Sequence, residues 1–121
     1  MEQDYFFQLA KGEGTEYNIL LNKNHELFKD HFPEFPILPG SCSTEIIRTA
    51  VEKETKKKCR LRKIKSLKFI QPIIPNEVKG LQLSLAMTCE DDSRLIHVKT
   101  AIKSEEFIHA KADLIFEQDN D

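Results

Sequence analysis

The sequence predicts an α+β domain in which an antiparallel sheet packs against one long helix, and three observations carry that expectation. Residues 41–58, SCSTEIIRTAVEKETKKK, contain no Gly or Pro, and apolar Cys42, Ile46, Ile47, Ala50 and Val51 recur there at helical spacing. After them the apolar period falls to two: Leu81, Leu83, Leu85 and Met87 share one face, as do Ile96, Val98 and Ile102. Ahead of the helix, residues 4–9 and 15–22 read as short strands joined by a turn at Gly12-Glu13-Gly14.

Each element follows from its local chemistry. Ser41 is the expected N-cap of the helix, because its hydroxyl can accept from an unpaired N–H of the first turn. Residues 65–75, KSLKFIQPIIP, read as a strand that ends or reaches a sheet edge near Pro72, since proline cannot donate to a ladder. EDDSR at 90–94 is a turn. In residues 107–116, FIHAKADLIF, Ile108, Ala110, Ala112, Leu114 and Phe116 share the inward face, which sends His97 and His109 to the polar faces of their strands. The tail EQDND is expected to fray. One domain, 1–121, accommodates all of this.

Composition narrows the functional classes. A chain that is 40% hydrophobic and 31% charged fits a soluble globular protein. The sequence has neither a cleavable-leader pattern nor a bilayer-length apolar run, so the cytoplasm, without membrane insertion, is the expected location. Cys42, Cys59 and Cys89 form an odd set without CxxC spacing, which suits reduced thiols and predicts no metal site. Cys42 reads as a small core residue rather than an activated thiolate, and His25 lacks the second histidine of a metalloprotease motif.

Net charge is −2, but nine of the 18 Lys and Arg residues fall between Lys53 and Lys68 beside a single acid, Glu54. The window reads equally as the solvated end of a helix with an exposed strand, or as a docking patch for an acidic partner. Interleaved aromatics and nucleic-acid motifs are missing, which argues against nucleic acid.

The stretch HFPEFPILPG, His31 to Gly40, places prolines at 33, 36 and 39. Proline fixes φ and biases the residue before it toward extended backbone, so the segment is a stiff connector rather than helix or central strand. It reads either as a rigid surface loop or as a spacer holding His31 at a set distance from the helix. His31-Phe32-Pro33, Pro36, Pro39-Gly40 and Glu45, together with KFIQPIIPNE at 68–77, resemble the FabZ-type 3-hydroxyacyl-[acyl-carrier-protein] dehydratases. Strand and helix order agrees along nearly the whole chain.

That resemblance implies the hotdog fold, a sheet wrapped around one central helix, in a homodimer and in some cases a higher assembly, with no cofactor. It implies that His31 removes the C2 proton of a 3-hydroxyacyl thioester while Glu45 of the other protomer serves the departing hydroxyl. Backbone N–H groups near Gly40 and Ser41, at the helix start, would face the thioester oxygen. Phe32, Phe35 and Phe69 would line an acyl tunnel. Lys56, Lys57, Arg60 and Arg62 would dock the acidic acyl carrier protein.

Glu34, Thr49 and Asn76-Glu77 depart from the family pattern and bear on substrate choice. Periodicity by itself puts Glu45 on a solvated helix face with an i, i+3 pair to Arg48. Two other classes share the reading: a hotdog acyl-thioesterase, and a non-catalytic acyl-thioester-binding subunit.

Overall fold

A computed structural model of the chain describes residues 5–30, 37–89 and 93–119. The first two strands, β1 (Phe7–Lys11) and β2 (Glu16–Leu21), form a hairpin. Gly14 at its tip has φ 57°, a conformation open to glycine at no steric cost. A short helix that the sequence did not announce, α1 (Glu26–Asp30), follows. His25 caps it, its Nδ1 accepting from the Leu27 N–H at 3.0 Å.

The long helix, α2, runs Gly40–Thr55. Its N-cap is Pro39, in extended backbone and with no side-chain cap bond, so the expectation for Ser41 is corrected: Ser41 lies inside the first turn. The helix also stops earlier than residue 58. Lys56 adopts the left-handed conformation at φ 61°, and Glu52 Oε2 accepts from the Cys59 N–H at 2.9 Å, which pulls the chain off the helix axis. Ile46, Ile47, Ala50 and Val51 are fully buried, as their spacing requires.

Four further strands, β3 (Cys59–Phe69), β4 (Gln82–Cys89), β5 (Leu95–Lys103) and β6 (Ile108–Gln118), complete one antiparallel sheet in the order β1-β2-β4-β5-β6-β3. The core is the apolar stripe of α2 against Leu83, Leu85, Ile96, Val98, Ile102, Leu114 and Phe116. At the far end, the Tyr17 hydroxyl donates to Glu54 Oε1 at 2.6 Å, fastening the hairpin to the last turn of α2.

β3 lies at the sheet edge and begins six residues before the expected strand at 65–75. Its start escaped alternation because two irregularities interrupt the register. Leu61 faces Phe116 and Lys63 faces Ile115, leaving Arg62 extra; Ile64 faces Leu114 and Ser66 faces Asp113, leaving Lys65 extra. Leu61, Ile64, Leu67 and Phe69 thus all fall on the helix side of the sheet, each opposite a buried residue of β6. In the single chain this row is largely uncovered, with Ile64 48% and Phe69 57% exposed.

β6 carries a third irregularity. Ile102 pairs with Ala110 but Lys103 with Ile108, so His109 is the added residue. His109 and Ala110 both turn inward and Ile108 outward, which corrects the expectation that Ile108 is inward and His109 on the surface. His97 keeps to the outward face, 3.6 Å from Asp113. The strand also runs through Glu117 and Gln118, so this part of the tail is paired rather than frayed.

Candidate active site at the start of the long helix

Gly40 and Ser43 of α2, Leu38 before it, Phe69 at the end of β3, Ile70 to Ile73 after it, and His109 and Ala110 of β6 line a half-open pocket of about 360 Å³. Pro72 and Pro75 keep the post-β3 segment out of the sheet. It is held instead by the Ile70 N–H donating to the His109 carbonyl at 2.8 Å and the Leu38 N–H donating to the Ile73 carbonyl at 2.9 Å. Two sequence-predicted residues meet here: a Cβ on Gly40 would come within 2.8 Å of the Phe69 ring. Ser41, one residue on, is exposed.

Glu45 sits one turn further along α2. Arg48 donates to both its oxygens, Nη2 to Oε2 at 2.6 Å and Nε to Oε1 at 3.1 Å, and reaches Glu52 Oε2 at 2.7 Å. The i, i+3 pair read from sequence is therefore present, and the Glu45 side chain is 41% exposed in the single chain. These carboxylates hold the Arg48 guanidinium above its usual range, Glu45 through its hydrogen bonds foremost. His31, Phe32, Phe35 and Glu34 lie outside the described residues.

Sequence reasoning missed His109. Its ring is buried, with Nδ1 3.0 Å from the Gln71 carbonyl and Nε2 2.8 Å from Ser104 Oγ. A carbonyl only accepts, so Nδ1 carries a proton and donates to it, while Nε2 pairs with the Ser104 hydroxyl. Both nitrogens are engaged, which makes the residue a fixed wall. No alternation rule could have found it, because the added residue reverses the inward and outward sense at that point.

The basic segment is exposed throughout at Lys56, Lys57, Arg60 and Arg62. Arg60, Arg62 and Arg94 converge on one carboxylate, Glu117, at 3.3, 3.2 and 3.8 Å. Burial pushes the Cys42 thiol up, and burial together with the Glu52 carboxylate takes Cys59 to about 11, so neither is an activated nucleophile. Among the described residues no cluster of His, Cys, Asp or Glu is placed to hold a metal, and no helix is long and apolar enough to cross a membrane.

Comparison with solved structures places this architecture. One chain of "The Dehydratase Heterocomplex ApeI:P from Xenorhabdus doucetiae" is 19% identical, with 91% of this chain and 94% of that chain covered and a TM-score of 0.61. Cj0977, a sigma28-regulated virulence protein from Campylobacter jejuni, is 10% identical over 100% and 89% of the two chains, with a TM-score of 0.72. A mutant of the thioesterase PA1618 from Pseudomonas aeruginosa is 8% identical over 93% and 80%, with a TM-score of 0.62. These likenesses establish the hotdog fold. No curated protein matches by sequence. A model of the ApeI-like family, described as ApeI dehydratase, matches residues 8–110, and the chain belongs to that family.

Proposed function

We propose that the protein is a dehydratase that converts 3-hydroxyacyl thioesters on acyl carrier protein to trans-2-enoyl thioesters. The observation that carries the reading is the match to a dehydratase family over residues 8–110, a span that contains the whole motif from His31 through Gly40 to Glu45. In this reading His31 takes the C2 proton, the electron pair forms the C2–C3 double bond, and the 3-hydroxyl leaves as water with a proton supplied by way of Glu45. The N–H groups at the start of α2 stabilise the charge that grows on the thioester oxygen. The elimination calls for no cofactor.

Supporting a dimer, the helix-side row of β3, Leu61, Ile64, Leu67 and Phe69, lies along the free edge of the sheet, where a second protomer would cover it. In this reading a partner would also cover Glu45, whose side chain is 41% exposed in the single chain. Self-pairing is the proposed assembly. Hetero-pairing with another hotdog chain is the alternative suggested by the ApeI:P heterocomplex.

The deciding assay is turnover of 3-hydroxyacyl carrier proteins. Enoyl product identifies the dehydratase, free thiol the thioesterase, and neither the non-catalytic binding subunit. His31→Ala and Glu45→Gln should each lower turnover by about 10² to 10⁴. Co-expressed in equal amounts and pairing at random, the two variants should recover roughly a quarter of wild-type activity if each site draws on both chains. A His31→Ala protein with wild-type turnover would sink the mechanism.

A further inference from the structure

The pocket beside Gly40 has a neighbour. A smaller pocket of about 130 Å³ lies between the post-β3 segment and the β5–β6 turn, and both are lined by Gln71, Pro72 and His109. Those three residues are therefore the partition between the two spaces. Pro72 has a short rigid ring, and Gln71 is exposed, with its carbonyl turned to His109. The imidazole is the buried part of the partition, and bonds on both sides, to the Gln71 carbonyl and the Ser104 hydroxyl, stop it from swinging.

We infer that His109 is the end stop of the acyl pocket and sets the length of acyl chain the protein accepts. The inference rests on the acyl-thioester reading above and adds to it a specificity-determining residue in β6, remote in sequence from the helix motif. The larger pocket is mostly apolar, walled by Leu38, Phe69, Ile70, Ile73 and Ala110, and suits a hydrocarbon tail. Past the ring the lining is more polar, with Glu77, Lys79, Glu105 and Glu106 beside apolar Ile74, Val78 and Phe107. Each methylene buried strengthens binding about fourfold, so a chain gains affinity until its end meets the imidazole and nothing beyond.

The test uses S-alkyl pantetheine thioethers of graded length, which bind but can be neither dehydrated nor hydrolysed. With the wild-type protein, calorimetric affinity should rise with each added methylene and then level off. In His109→Ala, which joins the two spaces, the level should move to a longer chain. His109→Asn, shorter than imidazole yet able to donate to the Gln71 carbonyl, should move it in the same direction and serves where the alanine variant does not fold. The same shift should show as a lowered KM for long substrates relative to short ones, an inversion that general loosening of the fold does not produce.

A levelling point that stays put in both variants overturns the inference, as does a wild-type protein that binds none of the thioethers. If the levelling point moves but no dehydration is seen, the length stop stands and the reaction assignment falls.

Discussion

The ring of Phe69 lies directly over the bare α-carbon of Gly40, close enough that a methyl group there would stand 2.8 Å from its Cζ. A residue at the end of the edge strand thereby closes over the first residue of the long helix, at the mouth of the proposed acyl pocket.

Gly40→Ala separates stability from function at that contact. Gly40 is the first helical residue, so alanine gains less there than in a helix interior, where it is worth about 0.5–1 kcal/mol, and the displaced ring, 57% exposed in the single chain, can move aside, so neither effect is large. Tm should change by less than about 4 °C. Catalytic efficiency should fall roughly tenfold to hundredfold, because the ring is pushed into the substrate's path. Adding Phe69→Ala to Gly40→Ala should recover part of that loss in a double-mutant cycle.

Part of the acid sensitivity should trace to Glu54. Hydrogen bonds from Lys11 and Tyr17 hold its carboxyl below the ordinary 4.5. A lowered folded pKa contributes stability that is present above 4.5 and lost as pH falls through the folded value. Lys11 is raised above 10.5, chiefly by its hydrogen bond to Glu54, so its share is present below 10.5 and lost as pH climbs. Urea midpoints measured from about pH 6 to about pH 3 should fall more steeply for wild type than for Glu54→Gln. Parallel curves would remove this cluster from the account.

Thiol chemistry gives an order that mass spectrometry can read. Cys89 is exposed, Cys42 is half-buried with its thiol pushed up by burial, and Cys59 is buried at about 11. Near pH 8 a thiol at that value is ionised on the order of one part in 10³. Iodoacetamide should label Cys89 first and Cys59 last. Early labelling of Cys59 would mean that the start of β3 opens in solution.

Replacing Lys56, Lys57, Arg60 and Arg62 with Ala should raise KM for carrier-protein substrates while sparing short thioesters that lack the acidic protein. Because exposed charges act over about 8 Å at physiological ionic strength, the wild-type advantage should shrink as salt is added. Arg94 still faces Glu117 in this variant, so the carboxylate keeps a cation and the sheet should hold. Equal losses on both substrate types would assign the four residues to folding.

Legibility followed the regularity of the backbone. α2 and the inward faces of β4 and β5 could be read because an unbroken period maps each side chain to a face. The Glu45–Arg48 pair was legible for the same reason, being a consequence of helix geometry alone. The start of β3 and the burial of His109 were hidden because an added residue in a strand exchanges its faces, and tertiary pairing decides where that residue goes. The resemblance brought Gly40 and Phe69 to one site across 28 intervening residues, which local periodicity could not do.

The two extra residues in β3 also bear on what the exposed edge will admit. A regular edge strand offers evenly spaced donors and acceptors to any stray β-segment and invites fibrous stacking. With Arg62 and Lys65 interrupting that spacing, an intruding strand cannot hydrogen-bond continuously in a single alignment. The edge can therefore present its greasy row to one matched mate while deterring polymerisation, and a deletion of either extra residue would be expected to cost solubility before it cost fold.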